Sequence, residues 1–329
     1  MRRAEKKITA VVKSRGFTWL MILASLAMGW TAYVSGVYAE NVTTGGMWLP
    51  DFDTIVSSRI LSAIIAVGMI GACCITLAAI NKVYNILRTV SLMFVGLFTI
   101  MIAGTPELYV SLDTGVILAL VILLCVNLLY SVYLSPVRTR RIFLIFFLLA
   151  CGALADYAFV PFILVFFVGV SQMRCLNLRT FFAALIGLIT PLWILWGFGL
   201  LTLREFEQPK PEIVYELFLA HEDMTTFMCV GLTLVIGLFL GCCNLMKILI
   251  AFNARNRAFT GVWSLMGIVT GTLCIIDFTN IWAYVPLLDI CVAVQAGLFM
   301  RLFESNRAYI VILLILALYI GCFVWNLTV

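Results

Sequence analysis

Two sets of carboxylates in this chain have the placement that chemistry at a membrane would need. The segment WLPDFD sets Asp51 and Asp53 two residues apart, and Arg59 follows just before a long apolar run. Acids beside an external membrane opening can take a proton from an acceptor hydroxyl, or hold a cation together. Arg59 could grip a lipid-linked phosphate there through paired hydrogen bonds. A D-x-D pair is nevertheless short, and Pro50 ahead of it also suits a plain turn. The second set lies inside apolar sequence: Asp289, within the run 281–300, and Asp156, which interrupts the run 142–172. An ionised carboxylate in hydrocarbon costs several kcal/mol unless it is solvated, protonated or paired. Asp289 stands roughly 12 Å along its helix at 1.5 Å per residue, with Pro286 before it and Gln295 after it. It fits a proton, ion or substrate site, and equally a buried hydrogen-bonded acid.

Other chemistry is hard to find. There is no metal signature, nucleotide loop or nucleophile constellation, and no cofactor is indicated. The one histidine, His221, adjoins Glu222 and Asp223 in an acidic stretch from Glu205 onward, but without a spaced second ligand it makes a poor metal site. The 11 cysteines fall almost entirely in apolar runs, including Cys73-Cys74 and Cys242-Cys243, as small packing residues would.

The elements that must position these residues are transmembrane helices. With 64% hydrophobic residues, 11% charged residues and a mean hydropathy of +1.13, the chain lacks the polar surface of a soluble domain. Its 329 residues suit an all-α polytopic bundle of about nine to eleven spans at roughly 20 residues each, including short paired hairpin helices. A basic cytoplasmic segment, residues 1–16, precedes a single transmembrane domain, 17–329. The first apolar stretch, Phe17 to Tyr38, reads as an uncleaved span, because no small-x-small cleavage site follows it.

Charge orients the bundle. Placing the N-terminus inside and the C-terminus outside puts 18 of the 21 lysines and arginines on the inner side and 14 of the 16 acids outside or within spans, as the positive-inside rule requires. The net charge of +5 is therefore dispersed beside spans and is not a nucleic-acid surface. Between the inner residues Arg141 and Arg174 there is too little chain for two full crossings, and Asp156, Tyr157 and Pro161 break it in the middle. The lengths predict a short hairpin over Ile142 to Gln172. A turn at that depth must be buried in protein or line a polar cavity. A second close hairpin is expected over 260–300, turning at Asp277 to Asn280. The pairs Gly237/Gly241 and Gly267/Gly271 would let helices approach closely.

The middle of the chain, from RTRR through ADYAFVPF to LNLRTFFAALIGLITPLWIL, resembles an uncharacterised family of multi-pass inner-membrane proteins of Bacteroidota. The resemblance rests on Asn177-Leu178-Arg179 and on Gly187, Leu188, Thr190 and Pro191. It implies a bacterial inner-membrane location and no activity. The position of Asp51 and Asp53 in the first outer loop of a many-span chain is similar to the GT-C class of membrane glycosyltransferases. That likeness implies a cell-envelope enzyme using a lipid-linked sugar donor such as a polyprenyl-phosphate sugar, with Asp51 or Asp53 as the base and Arg59 on the phosphate. Those enzymes usually carry a larger outer loop or domain. The alternative is a transporter, lipid flippase or non-catalytic envelope-assembly subunit, in which Asp289 and Asp156 form an intramembrane polar pathway. Membrane lipid is the expected partner in either case.

Overall fold

The computed structural model describes residues 10–36, 58–87, 92–133, 135, 138–199, 224–277, 280–303 and 308–328. They form an all-α bundle. In chain order the helices are α1 (Arg15–Val34), α2 (Arg59–Tyr84), α3 (Met93–Ala103), α4 (Pro106–Val110), α5 (Thr114–Val132), α6 (Arg138–Ala155), α7 (Val160–Gln172), α8 (Leu178–Gly197), α9 (Met224–Ala251), α10 (Ala254–Ile276), α11 (Ile281–Leu302) and α12 (Ala308–Thr328). Among the described residues, eight helices are long and apolar enough to cross a membrane. The chain is a multi-pass membrane protein. Leucine, isoleucine and tryptophan side chains exposed along α1, α8, α9 and α12 are the surface that lipid covers.

Helix α11 is the axis of the bundle. Every residue from Ala283 to Met300 is buried, and α11 packs against α9, α10, α5, α3 and α12. Asp289 and Gln295 are the polar exceptions along this stretch of α11. An acid and an amide facing hydrocarbon would be costly, which favours the enclosed position for this span.

The hairpin expected over Ile142 to Gln172 is present. Helix α6 ends at Ala155, a single turn of 3-10 helix covers Tyr157–Phe159, and α7 returns. Asp156 ends α6 because its carboxylate accepts from the Ala158 N–H at 2.8 Å, satisfying a donor that lipid could not. The turn meets the tip of the second hairpin. There Tyr284 Oη donates to the Asp277 carboxylate at 2.8 Å, and Asp156 is within electrostatic range of Tyr284.

The residues quoted for the N-L-R and G-L-x-T-P segments have local structural work. Asn177 and Thr180 form a reciprocal capping box that opens α8, which holds two otherwise unpaired amides. Gly187 lets α8 close on α6: an added Cβ would lie 2.6 Å from the Phe143 carbonyl oxygen.

One continuous crossing over the apolar run 89–104, followed by an outer loop, would leave Glu107 and Asp113 in water. Instead α3 is only 11 residues, all buried, and breaks at Gly104-Thr105 before the short α4. Asp113 is 1% exposed and caps α5 through the amides of Thr114 and Gly115. The Leu112 amide donates to Ser62 Oγ at 2.8 Å. Neighbouring helices thus supply the partners that irregular backbone at membrane depth requires.

The two ends of the bundle differ in charge. One end gathers every described lysine and arginine except Arg59. There Arg141 holds the Ser131 carbonyl, Arg301 holds the Ile86 carbonyl, and Arg255 lies over Tyr133 and Phe259. The opposite end carries Glu107, Asp113, Asp156 and Asp277.

A buried carboxyl in the candidate functional site

Asp289 sits on the central helix, 1% exposed, and neither carboxylate oxygen makes a hydrogen bond to a described residue. Buried polar atoms are nearly always paired, so two orphaned oxygens on one acid call for a cause. Thr233 of α9 faces the carboxyl without completing a bond of ordinary geometry. Its hydroxyl is already engaged: Oγ1 donates to the Cys229 carbonyl at 3.0 Å and lies 2.5 Å from Tyr319 Oη. In the arrangement with the threonine proton on Cys229 and the tyrosine proton on Thr233, neither hydroxyl is turned to Asp289.

Around this trio the broken helix and α12 close the site toward the acidic end. Asn326 Nδ2 donates to the Gly104 carbonyl at 3.0 Å and to Cys229 Sγ at 3.6 Å. The Cys229 and Cys322 thiols are in contact. Gly104 packs so closely on Tyr319 that an added Cβ would come within 2.9 Å of its ring. Thus α3, α9, α11 and α12 converge on one polar spot near mid-bundle. All eleven cysteines are free, and among the described residues no group of acids, histidines or cysteines is arranged to hold a metal.

The other sequence candidates have different fates. Arg59 holds α2 to α1: Nη2 donates to the Tyr33 carbonyl at 2.9 Å, and its guanidinium carbon lies 4.8 Å from the centre of the Tyr33 ring. Asp51 and Asp53 lie outside the described residues, as do His221 and the acidic segment 205–223. Asp156 is a helix cap at the hairpin tip and is not among the groups that surround Asp289. Thr233, Tyr319 and Asn326 escape sequence reading because a lone hydroxyl or amide in an apolar run is ordinary. Their sole signal is that two spans remote in sequence, α9 and α12, carry them.

A second polar link crosses the same core nearer the basic end. Asn244 of α9 donates to the Gln295 carbonyl and side chain at 2.8 and 2.9 Å, and Gln295 Nε2 donates to Ser264 of α10 at 3.1 Å. Beside it, α9, α10 and α11 enclose a crevice of about 320 Å³. Both glycine pairs line it. They were expected to seat helices tightly, yet only part of each does: Gly237 lies against Val292 and Gly271 against Leu234, while a Cβ on Gly241 would meet nothing within 4 Å.

No known protein family, curated protein or solved structure matches the chain.

Proposed function

We propose that this chain is a transporter in which Asp289 exchanges a proton or a small cation during a conformational cycle. The observation that supports it is the pair of unpartnered carboxylate oxygens on a fully enclosed helix. A purely structural acid would be expected to hold hydrogen bonds, whereas an acid that must load and release a charge keeps its acceptors uncommitted. The groups beside it suit the same task. Thr233 and Tyr319 can rotate a hydroxyl proton toward or away from Asp289 at small cost. The break at Gly104-Thr105 leaves carbonyls near the acidic end that a moving α12 would uncover, as broken helices do in many carriers.

The outward glycosyltransferase reading, in a bacterial envelope with a lipid-linked donor, retains only sequence support: Arg59 is engaged with Tyr33, and Asp51 and Asp53 are undescribed. A charge-displacement measurement separates the two. Purified protein in liposomes on a solid-supported membrane is given a pH jump. We expect a transient current in the wild type and in the Asp51→Asn/Asp53→Asn double variant, and its loss in Asp289→Asn. An equal current in all three, or none in the wild type, would reject the role of Asp289.

A further inference from the structure

The crevice between α9 and α10 has walls of one character and a mouth of another. Leu238 and Leu245 on α9, and Ile268 and Ile275 on α10, form exposed rims. Leu288 and Val292 of α11 form a buried floor. The polar groups that line it are already engaged: Gln295 bonds Asn244 and Ser264, and Thr272 Oγ1 donates to the Ile268 carbonyl at 2.7 Å, while Asn244, whose Oδ1 has no partner, lies outside the lining. An occupant therefore gains little from hydrogen bonding there and much from dispersion contacts. On α9 the lining runs from Leu234 to Leu245, about 16 Å at 1.5 Å per residue. That is close to one leaflet of a bilayer whose hydrocarbon core is about 30 Å thick.

A cation stands where such a chain would begin. Arg257 lies two turns from Ser264 on the same face of α10, at the basic end and exposed; Lys247 is exposed at the same end but, two residues past Leu245, leaves α9 about 200° around from the lining. Lys247 Nζ rests 3.6 Å from the centre of the Phe303 ring and 3.5 Å from the Leu302 carbonyl. Arg257 donates Nε to the Phe252 carbonyl at 2.6 Å. Arg257 keeps further N–H donors for an anion.

We infer that this crevice holds one acyl chain of an anionic phospholipid, with its phosphate against Arg257. The site stands apart from the Asp289 reading, since the carboxyl does not line it. Its geometry is a hydrocarbon slot one leaflet deep beneath a cationic mouth.

The test is native mass spectrometry of delipidated, detergent-purified full-length protein titrated with phosphatidylglycerol or with phosphatidylcholine of the same chains. Phosphatidylglycerol should bind at one preferred site, at least about tenfold tighter than phosphatidylcholine. Arg257→Gln should erase that preference, whereas Lys247→Gln should leave it. Gly241→Phe, where an added Cβ meets nothing within 4 Å, should weaken both lipids at this site. Cys242→Trp, whose exposed side chain also lines the crevice, is the second filling variant. The wild type supplies a further measurement: phosphatidylglycerol with a photoactivatable acyl chain should label residues 234–245 and 264–275. Labelling spread evenly over exposed helices such as α1 and α8, equal affinity for the two lipids, or unchanged binding in both filling variants would overturn the inference.

Discussion

Replacing Asp289 by asparagine should leave the protein standing while, on the transport proposal, abolishing the pH-jump current, and the structure sets the size of the first effect. The substitution preserves shape and removes the ionisable group. In the resting fold Asp289 makes no hydrogen bond to a described residue, so few native contacts are lost. An unpaired buried polar group costs about 1–3 kcal/mol by mutational measures, and the acid and the amide carry this burden alike. The expected change in stability is therefore within about 1 kcal/mol. Removing one partner of a buried ion pair, by contrast, costs about 3–5 kcal/mol because the other charge is stranded. Thermal-unfolding midpoints at one scan rate and in one detergent distinguish these, since unfolding of such proteins is commonly irreversible. A loss above about 3 kcal/mol would show that Asp289 is held by a partner in the native state, and the argument from orphaned oxygens would fail. Unchanged stability together with an unchanged pH-jump current would equally refute it, because an unpaired acid with no function has no reason to be buried.

A second outcome follows from the same geometry. Tyr319→Phe should cost about 0.5–1.5 kcal/mol, the usual net value of one hydrogen bond, and should alter the kinetics of the pH-jump current without abolishing it. A silent variant would remove Tyr319 from the site. The orientation that the charge distribution predicts, N-terminus inside and C-terminus outside, requires alkaline-phosphatase activity for fusions after Val329 and within residues 205–223, and none after Arg174. The reverse pattern would invert the bundle.

Much of the architecture is legible in the sequence because the bilayer imposes it. A run long enough to span hydrocarbon must be helical, whatever it later packs against. Clusters such as RTRR mark one end of the bundle by their hydration alone. The hairpin at Asp156 is equally readable, since the chain between Arg141 and Arg174 is too short for two full crossings and an acid with a nearby proline stops a helix. Asp289 stands out for the same reason: hydrocarbon penalises charge wherever it falls in the fold. The orphaned state of that carboxyl is not readable. It depends on Thr233 and Tyr319, which lie on spans remote in sequence and commit their protons to each other and to Cys229. Nor does hydropathy distinguish α11, the enclosed axis, from α12, which faces lipid along one side, because both read as apolar and burial by protein or by lipid leaves the same composition. The glycine pairs make the point again. Spacing shows that helices could close there, but the tertiary packing of α9 and α10 around α11 decided that Gly237 and Gly271 touch neighbours and that Gly241 faces open space.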